Sequence, residues 1–291
     1  FYNEAGQATQ QVDALDLSAA WAYRLNGWLQ TQTLSNGQTP VAATAYTQNA
    51  AGQLTALLNT GPGLTVLSSF TGLGYDGAGN RISLTASFPD QPTRFSGETA
   101  YTYDALDQLF QEVSARDGGY GHDFVYDPAG NLLQHRTGSN PRLYDEMNRW
   151  IGELVDHVPD YSGFQYDALG NPNTYRGVSL VFDEANSLRQ YGAVFSAGYT
   201  GDGLRAWTGP AGATLTERTY FLYDGLEPVC EVQVDAQTGQ PFVTALNCFG
   251  AGGLYARAVY NAGTESYVPR LYTFDPQGSV AQRLDAQGTV L

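Results

Sequence analysis

Eight aspartates each follow directly on an aromatic residue: Asp76, Asp104, Asp127, Asp145, Asp167, Asp183, Asp224 and Asp275. Repeated carboxylates are the raw material of acid–base and metal chemistry. A glycosidase needs two of them facing across about 5–10 Å, with their pKa values pushed apart. A calcium site needs several oxygen ligands around one ion, and no D-x-[DN]-x-[DN]-G loop occurs in this chain. His122, His135 and His157 are isolated from one another and lack zinc spacing. There is no G-x-S-x-G elbow, phosphate loop, dinucleotide fingerprint or Cys-His signature. The sequence therefore leads us to expect no catalytic residue, no metal and no other cofactor.

Turn formation accounts for the aspartates instead. With the aromatic as position 0, eleven copies of the phrase start at Tyr2, Gln48, Tyr75, Tyr103, Tyr126, Tyr144, Tyr166, Phe182, Tyr199, Tyr223 and Phe274. Position 1 is one of the eight Asp residues or Asn3, Asn49 or Thr200, each with a short side-chain oxygen that accepts a backbone N–H two residues on. Position 4 is Gly6, Gly52, Gly79, Gly130, Asn148, Gly170, Asn186, Gly203 or Gly278, with Asp107 and Glu227 as the exceptions. Gly or Asn there suits the left-handed residue that closes a three-residue hairpin with a bulge. Pro128 and Pro276 fit the first central position of a type I turn. Flanking runs such as "RISLTAS" and "QLFQEVS" alternate as half-buried strands do, and the aromatic closes the incoming strand. The unit is strand, corner, strand.

The elements holding these corners must then be almost all β. Starts from Tyr75 to Tyr223 lie 16–28 residues apart, too irregular for a solenoid and suited to a long meander. Residues 1–74 read as an N-terminal meander with degenerate repeats, hairpins being marked by Asn26-Gly27 and Asn36-Gly37. Residues 75–291 read as the dense part, continuous with the first. Of 291 residues 42% are hydrophobic, enough for a core, and all 14 basic residues are Arg. A net charge of −15 argues against nucleic acid as a partner, and no apolar run is long enough for a membrane span. Both ends read as cut, which makes this a segment of something larger.

Two further features stand outside the repeat. Folding "CEVQVDAQTGQPFVTALNC" about Gly239 sets Cys230 opposite Cys248, so a structural disulfide is one reading and two buried reduced thiols the other. Trp21, Trp28, Trp150 and Trp207 are candidate sugar-stacking platforms, against ordinary packing on a sheet face.

Ten aromatics and nine Gly/Asn in one register resemble the RHS/YD-repeat family. "AGYTGDGLRAW" is similar to its YDGDGxR phrase, and "RLYTFDPQGSVAQRLDAQGTVL" to its late LGSVxxLTDxxGxV segment. The resemblance implies a long antiparallel sheet curved into part of a hollow shell. In bacterial members, including Tc-toxin C components, such a shell encloses a C-terminal toxin; teneurins use a related shell in adhesion. The paired DPxG aspartates of the family's self-cleaving segment have no counterpart here, and Asp275-Pro276 lies in an ordinary repeat. The resemblance thus implies a non-catalytic segment, secreted or at the cell surface, whose partners are a polypeptide cargo or other segments of the same shell. The rival expectation is an adhesion or carbohydrate-binding module with glycans as partners.

Overall fold

A computed structural model describes residues 1–13, 15–136 and 139–291. It is all-β as expected, with 27 strands among the described residues, large antiparallel sheets and strands paired in chain order. The chain forms two compact units: residues 1–122 with 247–291, and residues 123–246. The expected boundary between the degenerate and the dense repeats, two stretches read as continuous, lies at residue 74/75. It falls at the end of strand Val66–Tyr75, which pairs with Arg81–Ser87 inside one ten-stranded sheet. Degenerate and well-formed repeats make the same hairpins, so the ladder runs straight through.

The first unit is built around a conventional interior. Strand Leu17–Tyr23 alternates, sending Leu17, Ala19 and Trp21 inward. They meet Leu34, Val41 and, from the last 45 residues, Tyr255, Leu271 and Leu284 in one apolar cluster. Phe70, Leu73, Leu84 and Phe88 belong to a second. Phe70 and Leu73 are three apart, which simple alternation would put on opposite faces. A bulge at Gly72 (φ 60°) repairs this, and Ser83 Oγ fastens it by donating to the Gly72 carbonyl and accepting the Gly74 N–H.

Polar side chains cross the same interior. Thr44 donates to Asn59 Oδ1, Asn59 Nδ2 to Ser68 Oγ and the Phe274 carbonyl, and Ser68 to Gln282 Oε1. Thr273 also donates to Gln282 Oε1, while Gln282 Nε2 donates to the Leu67 carbonyl. All five of these side chains are buried, and each finds partners, so the network costs no orphaned polar group.

The second unit is thinner. It holds the hairpin Val125–Tyr126/Leu132–Gln134, the three strands Arg142–Tyr144, Trp150–Val155 and Val158–Asp160, and a meander from Phe164 onward. Among its described residues the buried side chains are small: Ser196, Ala197, Ala213 and Ala245. Ring and guanidinium layers take the place of a deep core. Trp150 lies 4.6 Å from Phe164 and 5.5 Å from Tyr175, and the guanidinia of Arg142 and Arg176 sit over its ring.

Candidate functional site

The candidate site is the array of corners. At Asp76 the backbone N–H groups of Ala78 and Asn80 both donate to Oδ1, at 3.0 and 2.9 Å. The same pair of bonds, from the residues two and four ahead, recurs at Asp104, Asp127, Asp145, Asp167, Asp183 and Asp275. Position 4 is left-handed throughout this set, from Gly79 (φ 93°), Gly130, Gly170 and Gly278 to Asp107 and Asn148 (both φ 60°) and Asn186 (φ 61°). Just before position 0 the ladder slips by one residue, so position 0 pairs with position 6: Tyr75 with Arg81, Tyr103 with Leu109, Tyr126 with Leu132, Tyr144 with Trp150, Tyr166 with Pro172, Phe182 with Leu188 and Phe274 with Val280. Tyr223-Asp224 departs from the rule. Asp224 is a strand residue opposite Glu227 across the two-residue turn Gly225-Leu226, and Tyr223 pairs with Pro228.

Corners are also tied to one another. Six tyrosine hydroxyls donate to the carbonyl at position 6 of the preceding corner: Tyr75 to Leu54, Tyr103 to Arg81, Tyr144 to Leu132, Tyr166 to Trp150, Tyr199 to Leu188 and Tyr223 to Arg205, at 2.7–3.0 Å. Gln48, the residue that breaks the aromatic rule, makes the equivalent bond through Nε2 to Leu29, 2.8 Å away. Leu29 stands six residues after Tyr23, in an aspartate-free corner closed by Gly27 (φ 85°).

A second tie explains the non-glycine residues at position 4. Asn80 Nδ2 donates to its own Asp76 and to Asp107 of the next corner. Asn131 does the same with Asp127 and Asn148, and Asn171 with Asp167 and Asn186. At Asp107, Asn148 and Asn186 the corner before supplies the amide donor. Neither these asparagines nor the corners at Asp13 and Asp285 stood out in the sequence. The signal for Asp285 was present, since "LDAQG" repeats "FDPQG" ten residues on with Leu284 for the aromatic and Ala286 for the proline.

Chemically, these carboxylates are hydrogen-bond acceptors, and at Asp76, Asp127, Asp145 and Asp167 the bonds favour the ionised form. The Asn131 side chain holds Asp127 below its ordinary pKa, the Asn171 N–H does so for Asp167, and the Arg149 N–H and side chain for Asp145. Among the described residues every displaced carboxylate moves downward, the opposite of what a general acid needs.

The cysteines take a different register from the one expected. The connection runs from Asp235 to Gln240, and a bulge at Glu231/Val232 follows, so Leu246 and not Cys248 faces Cys230. Both thiols are free. Cys248 donates to Asp13 Oδ2, and burial together with that carboxylate pushes its pKa far up, leaving a protonated, unreactive thiol. Of the tryptophans, Trp21 is buried edge-on to Tyr255, and Trp28 is half-buried with its ring against Gly52. The rings of Trp150 and Trp207 are covered by arginines.

Fold and corners together define a long antiparallel meander of Tyr-Asp hairpins tied corner to corner. Solved Tc-toxin structures share it over the whole length of the chain. A TcdB2–TccC3 crystal structure superimposes with a TM-score of 0.67 at 19% identity, and one lacking the hypervariable C-terminal region with 0.68 at 19%. The Photorhabdus luminescens Tc holotoxin pore, carrying a TccC3 variant, gives 0.64 at 18%. The chain spans 17–18% of the length of those proteins. No family model and no curated protein matches the sequence.

Proposed function

We propose that the chain is a non-catalytic segment of a YD-repeat shell that encloses and carries a polypeptide cargo out of the producing cell. The observation that carries this reading is the shared fold over 100% of the chain with structures of TcdB2–TccC3, one of them described as lacking a hypervariable C-terminal region. The corner ties support it. A wall that must keep one chain from another needs sheet edges sealed hairpin by hairpin, and the tyrosine and asparagine bonds do that without using the strand faces. The ionised, hydrogen-bonded carboxylates fit a structural role for the corners.

The adhesion or glycan-binding alternative asks for open aromatic platforms, and Trp21 is buried while Trp150 and Trp207 are covered, which leaves the half-buried Trp28 as its candidate. The test is limited proteolysis of the natural gene product at its full length. An enclosed polypeptide is expected to survive protease concentrations that digest it when it is expressed alone. Equal digestion in both settings overturns encapsulation, and glycan-array binding that is lost on Trp28→Ala would favour adhesion.

A further inference from the structure

One cleft in the second unit has a charge pattern that the shell role does not require. A space of about 330 Å³ is lined by Arg189, Arg218, Gln190, Ser196, Trp207 and small apolar groups, with no acidic residue among them. In a chain of net charge −15 that is a local reversal. Trp207 sits directly opposite Gly198 on the neighbouring strand, where its indole lies so close that a Cβ would strike it. The guanidinium of Arg218 lies over that ring, 3.9 Å from its centroid, with Nε donating to the Ala213 carbonyl.

The acid next to Arg218 in sequence is turned away. Glu217 accepts the N–H and hydroxyl of Thr214 in a capping box, which holds its pKa below the ordinary carboxylate value. Among the described residues no carboxylate pairs with Arg218, and Arg189 has only Asp183 at 3.8 Å. A guanidinium fixed by stacking and by one hydrogen bond keeps its remaining donors aimed at a ligand at little entropic cost.

We propose that this cleft binds the carboxylate side chain of an acidic peptide segment, with Arg218 as the principal contact and Arg189 as the second. A peptide is favoured over an acidic sugar because Arg218 covers the indole face on which a sugar ring would stack. Val181 and Ala213 remain to flank an aliphatic stem. The proposal is independent of encapsulation.

The test uses the whole chain at low salt, titrated with acetyl-Gly-Glu-Gly-Glu-Gly-amide while the Trp207 indole resonance is followed by NMR. Replacing Glu by Gln in the peptide, or Arg218→Gln in the protein, is expected to weaken binding about tenfold or more, the scale of one lost charged contact. Arg189→Gln should weaken it several-fold, and raising ionic strength should weaken it further. Unchanged backbone amide dispersion in free R218Q shows that the protein still folds; if it does not, the R189Q protein and the Gln peptide carry the test. Equal binding of the Glu and Gln peptides, or full affinity in a folded R218Q, overturns the proposal. Tighter binding of glucuronate than of the peptide at the same resonance replaces the peptide with a sugar acid.

Discussion

The two units solve one problem in different ways. Residues 1–122 with 247–291 bury leucines, aromatics and a satisfied polar network, as ordinary globular domains do. Among their described residues, 123–246 bury only small side chains and rely on corners, cross-strand rings and stacked arginines. The contrast shows what the Tyr-Asp phrase is for. Where a sheet has too little interior to fix its register, local bonds at the corners must help to fix it. Corners recur at Asp127, Asp145, Asp167 and Asp183 in the thin unit, with the two-residue turns Asp156-His157 and Arg176-Gly177 among them.

The largest effect that separates the units is loss of core. Leu271 is fully buried, and Leu271→Ala is expected to cost about 2–5 kcal/mol in urea unfolding. Leu188→Ala, at a half-buried site of the second unit, should cost less than half as much. Hydrogen exchange should place the first loss in residues 1–122 and 247–291. Equal costs would mean that the second unit has a core after all.

Acid should reverse the order of vulnerability. Asp127, Asp145 and Asp167 titrate below their ordinary value of 3.8 when folded, so the folded state binds protons more weakly than the unfolded chain. Their contribution is complete above that value and disappears as pH falls through the depressed folded values. Amide protection around residues 127–131, 145–149 and 167–171 is expected to fail before that of the buried first-unit strands. Simultaneous loss in both units would show that the corners carry no special share.

How far this was legible in the sequence follows from range. The corners could be read because Asp, Gly and the aromatic all act within five residues, and the all-β fold followed from their repetition. The register at Cys230 could not, since it depends on where a six-residue connection closes and on a bulge at Glu231/Val232 that has no sequence mark. The partnership of Asn80 with Asp107 spans 27 residues, and that of Ser68 with Gln282 spans 214. The asparagines looked like the first residue of the next strand, and their second bond needs the neighbouring corner in place. Gln48 breaks the aromatic rule in sequence, and its acceptor, the Leu29 carbonyl, lies 19 residues away.

Smaller changes test the ties themselves. Tyr166→Phe keeps the ring and removes only the 2.7 Å bond to the Trp150 carbonyl, so a loss of about 1 kcal/mol is expected. A loss near zero would reduce the hydroxyl ladder to a by-product of ring packing.

The smallest expected effect runs in the stabilising direction. Phe182 occupies position 0 of a corner whose predecessor starts at Tyr166, and position 6 of that predecessor is Pro172, which pairs with Tyr166 as the other acceptor residues pair with theirs. A proline lacks a donor but keeps its carbonyl, and the ladder uses the carbonyl whether the side chain is Leu, Arg or Trp. Asn171 and Asn186 already hold the two corners together, so the geometry for the added hydroxyl is in place. Phe182→Tyr is therefore expected to raise stability by a few tenths of a kcal/mol to about 1 kcal/mol, read as a higher urea midpoint at an unchanged slope. Tyr166→Phe and Phe182→Tyr then form opposite halves of one test. A cost from the first with no gain from the second would confine the hydroxyl tie to corners that already have it, and a gain in both would reject it altogether.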